Sequence, residues 1–169
     1  MTLPATKIAL DFEALYRAAR DDVFAYVATL LRDRGAAEDV TAQAFERAFR
    51  KSKSYDARRG SERAWLFGIA RNAALDELRK RKRTAELSGE PVDVGAETEE
   101  QAERALRRAA VRAAIGALDP RDRELIALKF HAGLDNAEIA GVLGVSASNA
   151  GTRLHRALTK LREILDDQS

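Results

Sequence analysis

The 169-residue chain contains no cysteine, which excludes disulfides, thiolate metal sites and thiol chemistry. Its 46% hydrophobic and 33% charged content suits small helical units, each with a core and a broad solvated surface. The net charge of +2 hides a segregation: residues 1–83 carry 18 Lys/Arg against 12 Asp/Glu, residues 84–105 one against seven, and residues 106–169 10 against 8.

Two basic units therefore flank an acidic connector. A Gly- and Pro-containing acidic stretch is expected to be flexible and to stay off any polyanion its neighbours bind. The first residues, MTLPATKIALDFEAL, show no basic region followed by an apolar block, and no run approaches a membrane span. The expectation is an intracellular, cytoplasmic protein with no membrane insertion.

In chain order, Asp11 can cap a first helix reaching about Arg32, with Phe12, Leu15, Tyr16, Ala19, Val23, Tyr26, Val27 and Leu30 as its apolar face. Gly35 is expected to break it. A second helix, about Ala36 to Lys51, turns Val40, Ala44, Phe45, Ala48 and Phe49 to the core and Glu38, Asp39, Gln43, Glu46 and Arg47 outward. These carboxylates lack the Glu-x-x-His companion that bundle metal sites use, so no metal is expected. Their outer face suits recognition by another protein or plain solvation.

KSKSYDARRGSER follows as an exposed, basic loop with one aromatic. Tyr55 could stack on a single-stranded base or cover the edge of the core. The helix around WLFGIARNAALDELRKRKR comes next. Trp65, Leu66, Ile69, Ala70 and Ala73 form its buried stripe, and Asn72, Asp76, Arg79 and Arg83 fall on a neighbouring strip. The run from Arg79 to Arg83 is entirely cationic: either a solvated helix end or a surface for a polyanion.

Beyond the connector a helix resumes near Glu99, and Asp119 caps another whose first residue is Pro120. Leu125, Ile126, Leu128 and Phe130 are expected to drive that helix into a second core. Asn136 to Leu143, the turn Gly144-Val145-Ser146, and a long helix from Ala147 to about Leu165 have the helix-turn-helix layout, which an ordinary helical hairpin can mimic. Ser148, Asn149, Thr152, Arg153, His155, Arg156 and Lys160 are expected on its outer side, where base edges and phosphates would be met. No nucleophile with a base, Gly-rich phosphate loop or metal-ligand spacing occurs, so neither an enzyme nor a cofactor is expected.

Four ordered blocks together resemble a bacterial sigma factor of the extracytoplasmic-function (ECF) group of the sigma-70 family. They are AEDVTAQAFERAF, YDARRGSERAWLFGIARNAALDELRKRKR, ALDPRDRELIALKFHAGLDNAEIAGVLGVS and TRLHRALTKLR. The resemblance implies an all-α chain of two small helical domains: a domain 2 over residues 1–83, a flexible acidic linker over 84–105, and a helix-turn-helix domain 4 over 106–169. It implies that Glu38, Asp39, Gln43 and Arg47 bind core RNA polymerase. Tyr55, Arg59, Ser61, Arg63, Trp65, Arg71, Asn72, Arg79 and Lys80 would recognise and open the promoter −10 element as single strand. Ser148, Asn149, Thr152, Arg153, Arg156 and Lys160 would read the −35 element as duplex. It also implies an anti-sigma partner. One departure is Ala150-Gly151, where many relatives carry Val-Lys; it removes a cation and lowers helix propensity by about 1 kcal/mol relative to Ala. The alternative is a free-standing helix-turn-helix regulator, which needs no surface for separated strands.

Overall fold

The computed structural model describes residues 9–84 and 99–169. They form seven α-helices and no strand: α1 (Phe12–Leu31), α2 (Arg34–Arg50), α3 (Glu62–Thr84), α4 (Glu99–Ala117), α5 (Pro120–Phe130), α6 (Asn136–Leu143) and α7 (Ala147–Asp167). The helix starts follow local chemistry. Asp11, Asp33, Asp119, Asp135 and Ser146 each cap a helix by accepting from an amide two or three residues on, which satisfies a donor with no intrahelical partner. Asp135 and Glu138 complete a capping box at α6.

The α1–α2 corner departs from expectation. The break falls at Arg32, whose φ of 55° is left-handed, while Gly35 lies in the first turn of α2. Asp33 caps α2 at once, so the turn needs no glycine there. Phe49 and Phe130 also differ: both are 63% exposed. Phe49 still meets Phe12 edge-on at 5.2 Å, whereas Phe130 ends its helix pointing away from the core. Phe67, absent from the expected stripe of α3, is fully buried and packs edge-on against Tyr26, with ring centroids 5.4 Å apart.

Helices α1, α2 and α3 pack into one unit around Val23, Tyr26, Val27, Val40, Leu66 and Phe67. Helices α4 to α7 form the second, around Leu125, Leu128, Leu134, Ile139, Leu154 and Ala157. Gly144, at φ 72°, makes the left-handed turn that carries α6 into α7. The expected second core is not separate, because the buried residues of both units form one continuous cluster. Helix α1 lies against α5 and α3 against α6. The connector expected over 84–105 ends before Glu99, where α4 begins; its residues 85–98 lie outside the described part of the chain.

Candidate nucleic-acid interface

On α2, Glu38, Asp39 and Gln43 are exposed, as expected for a recognition face. Arg47 is half-buried and turns to α3, where it pairs with Asp76 at 3.2 Å. It therefore ties the two helices together as well as bordering that face.

The basic loop is pinned at both ends. Asp56 accepts from the backbone and guanidinium of Arg58, and the side-chain bond from Arg58 is the main cause holding its pKa below the usual carboxylate value. Tyr55 is buried: its hydroxyl donates to the Gly60 carbonyl at 2.9 Å and its ring meets Trp65 edge-on at 5.5 Å. Of the two uses open to Tyr55, it covers the core edge, and its face is not offered to a base. Trp65, half-buried, closes the same corner.

The other residues expected to face single-stranded DNA divide in two. Arg59, Asn72, Arg79 and Lys80 are exposed. Ser61, Arg63 and Arg71 instead meet the second unit. Ser61 caps the start of α3 through the Ala64 amide and donates its hydroxyl to Glu138. Arg63 lies over the Phe67 ring, 5.3 Å from its centroid, and donates to the carbonyls of His131 and Ala132 and to Asp22. Arg71 donates to Glu124, the one buried charged residue among those described. The Tyr26 hydroxyl donates to the same carboxylate at 3.3 Å. Burial, and then the Glu124 charge, push the Tyr26 pKa well above that of an ordinary phenol.

Within the run Arg79–Arg83 the side chains are not equivalent. Arg81 turns inward, donating to the Leu31 carbonyl at 3.1 Å and to Asp33 at 3.0 Å, with Glu77 alongside. Arg79, Lys82 and Arg83 are exposed; among the described residues Arg79 makes only a surface pair with Asp76.

On α7, Ser148, Asn149, Thr152, Arg156 and Lys160 share an exposed face, with Lys160 paired to Asp122 at 2.8 Å, a contact that raises its pKa. Arg153 is not on that outer side. It is half-buried and lines a cavity of about 270 Å³ with Arg71, Arg121 and Glu124. Gly151 faces inward as well: a Cβ there would come within 3.2 Å of the Asn136 side chain on α6.

A feature without an obvious sequence signal is a groove of about 730 Å³ between α1 and α4–α5. Phe24, Ala28, Val111 and Ile115 form its apolar floor, while Arg32, Arg107, Arg108, Arg112 and Arg123 contribute positive charge. Burial and then the Arg32 charge lower the Arg123 pKa. The spacing of Arg107, Arg108 and Arg112 on α4 was the available hint, but only the packing of α1 opposite them makes a groove. Among the described residues no group of three or more His, Asp and Glu is placed to hold a metal ion.

Residues 15–84 match the family model of Sigma-70 region 2, and residues 108–161 that of Sigma-70 region 4. The chain is 32% identical over 152 residues to the ECF RNA polymerase sigma factor SigK of Mycobacterium ulcerans, covering 85% of this chain and 80% of that protein. The chain belongs to the ECF RNA polymerase sigma factors. The first helical unit is thus sigma domain 2 and the second sigma domain 4. Another relative, the ECF sigma factor BldN of Streptomyces coelicolor, is 31% identical over 162 residues; the alignment covers 94% of this sigma factor but 61% of BldN. Among solved structures, CnrH in complex with the cytosolic domain of CnrY superposes with a TM-score of 0.70 at 27% identity, over 94% of this chain and 89% of that one. The sigma factor RpoE in complex with the anti-sigma factor NepR, from Bartonella quintana, shares the fold at a TM-score of 0.72 and 24% identity, over 92% of this chain and 97% of that one.

Proposed function

We propose that this sigma factor joins core RNA polymerase through the α2 face of Glu38, Asp39, Gln43 and Arg47. It then opens the −10 element with α3 and its preceding loop, and reads the −35 element as duplex with α7. The observation that carries this reading is the presence on one chain of two separate cationic surfaces of different construction. One, around Asn72, Arg79 and Lys80, adjoins a helix end and a polar loop suited to separated strands. The other, around Ser148, Asn149, Thr152 and Arg156, is the front of a helix behind a tight turn, suited to a major groove. Unpairing a base costs a few kcal/mol, which cationic and amide contacts to the exposed strand must offset. In this role the protein makes and breaks no bonds itself.

The site of action is the cytoplasm, where the polymerase is; no helix among the described residues is long and apolar enough to cross a membrane. An anti-sigma partner fits the Arg-lined groove between the domains, and an acidic amphipathic helix is the element whose charge and shape complement it. The functional test is in vitro transcription from a genomic template library with purified core polymerase. Discrete start sites that depend on this chain support the reading, and their absence overturns it. A free-standing repressor would instead bind duplex DNA tightly without polymerase.

A further inference from the structure

The groove between α1 and α4–α5 carries its charge differently from the rest of the surface. Six arginines line it, and no Asp or Glu among the described residues does. Elsewhere arginines such as Arg17, Arg50, Arg58 and Arg63 lie against carboxylates. In the groove only Arg34 does, through Glu38; Arg32, Arg107, Arg108, Arg112 and Arg123 have no ion pair among the described residues. Two of these guanidinium groups are held together at the Gly116 end. Arg32, whose backbone is left-handed, lays its guanidinium where a side chain on Gly116 would sit. Arg123 is half-buried and fixed by donating to the carbonyls of Ile115, Gly116 and Leu118 at 3.0–3.2 Å. Burial and then the Arg32 charge lower its pKa. Like charges confined in a recess repel, and a bound anion offsets that repulsion.

Three features select the class of anion. The floor of Phe24, Ala28, Val111 and Ile115 is apolar, and Val111 is 40% exposed. An inorganic anion would leave that surface wet, whereas a planar ring covers it. A single carboxylate or acyl anion answers one guanidinium, while a chain of phosphates brings several charges in a small volume, in the geometry that guanidinium forks bind bidentately. The stretch of α4 from Arg107 to Ile115 spans about 12 Å at 1.5 Å per residue, and the volume of about 730 Å³ falls within the range of small-molecule sites. Thr29 and His131 add the few polar groups that the edge of a heteroaromatic base needs. We propose that the groove binds a nucleoside triphosphate, its base on Phe24, Val111 and Ile115 and its phosphates among Arg32, Arg107, Arg112 and Arg123. The nucleotide takes the place offered above to an acidic anti-sigma helix and so competes with it. Its binding requires none of the promoter assignments.

The test is calorimetric titration of the full-length protein with ATP and, separately, GTP. Saturable one-to-one binding is expected, on the order of tenfold tighter than inorganic triphosphate, which has no base to cover the floor, and tighter still than adenosine, which has no phosphates. Arg107→Gln and Arg112→Gln change exposed side chains without ion pairs, so the fold should persist while each weakens nucleotide binding on the order of tenfold. Gly116→Ala removes no charge but displaces the Arg32 guanidinium, and should weaken binding severalfold. Arg162→Gln, exposed on α7 and outside the groove, removes a charge and should leave binding as it was. Inorganic triphosphate binding as tightly as the nucleotides, or Arg162→Gln weakening them as much as the groove variants do, would overturn the proposal, because either result marks general attraction of anions to a basic protein. Unaltered affinity in all three groove variants would overturn it too, as would failure of both nucleotides to saturate. An acidic amphipathic peptide that saturates the protein where neither nucleotide does would overturn it while leaving the anti-sigma reading in place.

Discussion

The five-cation end of α3 offers a direct test, because the structure separates its charges into two jobs. Replacing Arg79, Lys82 and Arg83 with Gln removes three exposed charges, of which, among the described residues, only Arg79 has an ion pair, a surface contact worth little. If each meets a phosphate of the opened strand, the slope of log affinity against log salt falls by about 0.7 per residue, or about 2 for the triple variant, with little change in melting temperature. Arg81→Gln should behave in the opposite way. It removes bonds to the Leu31 carbonyl and to Asp33, the cap of α2, and so unties α3 from the α1–α2 corner. Charged hydrogen bonds contribute about 1.5–3 kcal/mol. The Arg81 side chain is 30% exposed and that of Asp33 43%, so solvent screening reduces this. A loss of about 1–2 kcal/mol then corresponds to about 2–8 °C in melting temperature for a chain of this size. The assays are thermal unfolding of the free protein and promoter-complex formation by holoenzyme across a KCl titration. If Arg81→Gln flattens the salt slope as the others do while leaving the melting temperature alone, the division of labour is refuted.

Further outcomes follow from other sites. Gly151→Ala should leave promoter binding unchanged and raise stability by at most about 1 kcal/mol, the helix-propensity gain, because the new methyl meets the flexible Asn136 amide; a loss of promoter affinity without destabilisation would instead place the glycine against DNA. Thr41→Val should stabilise domain 2 by about 1 kcal/mol, since the buried Thr41 hydroxyl has no hydrogen-bond partner among the described residues; chemical denaturation would show the reverse if that hydroxyl were satisfied. His131, half-buried at the end of α5, has its pKa pushed below the usual imidazole value by burial, with Asp22 pulling less strongly the other way. The unfolded chain thus takes up the proton more readily, so this contribution is complete above about pH 6.5 and is lost as pH falls below it. Melting temperature should drop between neutral and mildly acidic pH, and His131→Gln should flatten that drop; an identical pH profile in the variant would rule His131 out as its source.

The helices were legible because their signals are local. Asp11, the Asp119-Pro120 pair, Gly144 and Ser146 act on amides and turns within a few residues, and the caps sit where spacing put them. The helix-turn-helix and most of the exposed faces of α2 and α7 followed from periodicity for the same reason. The same reasoning misplaced four side chains: Phe49 and Phe130 obey the helical period but lie exposed at helix ends, while Arg47 and Arg153, expected outward, are half-buried and turned to neighbouring helices.

What tertiary structure alone decided is where each polar side chain spends its charge. Arg79 and Arg81 are alike in sequence, yet Asp33, 48 residues away, turns one inward and leaves the other to solvent. Tyr55 had two available uses until Trp65 and the Gly60 carbonyl enclosed it. Nothing near Glu124 in the chain marks it as a buried anion, because both of its partners come from the other domain, Tyr26 98 residues away and Arg71 53. Caps and periods are properties of neighbours along the chain. Hydrogen bonds and desolvation are properties of neighbours in space, and only folding brings those neighbours together.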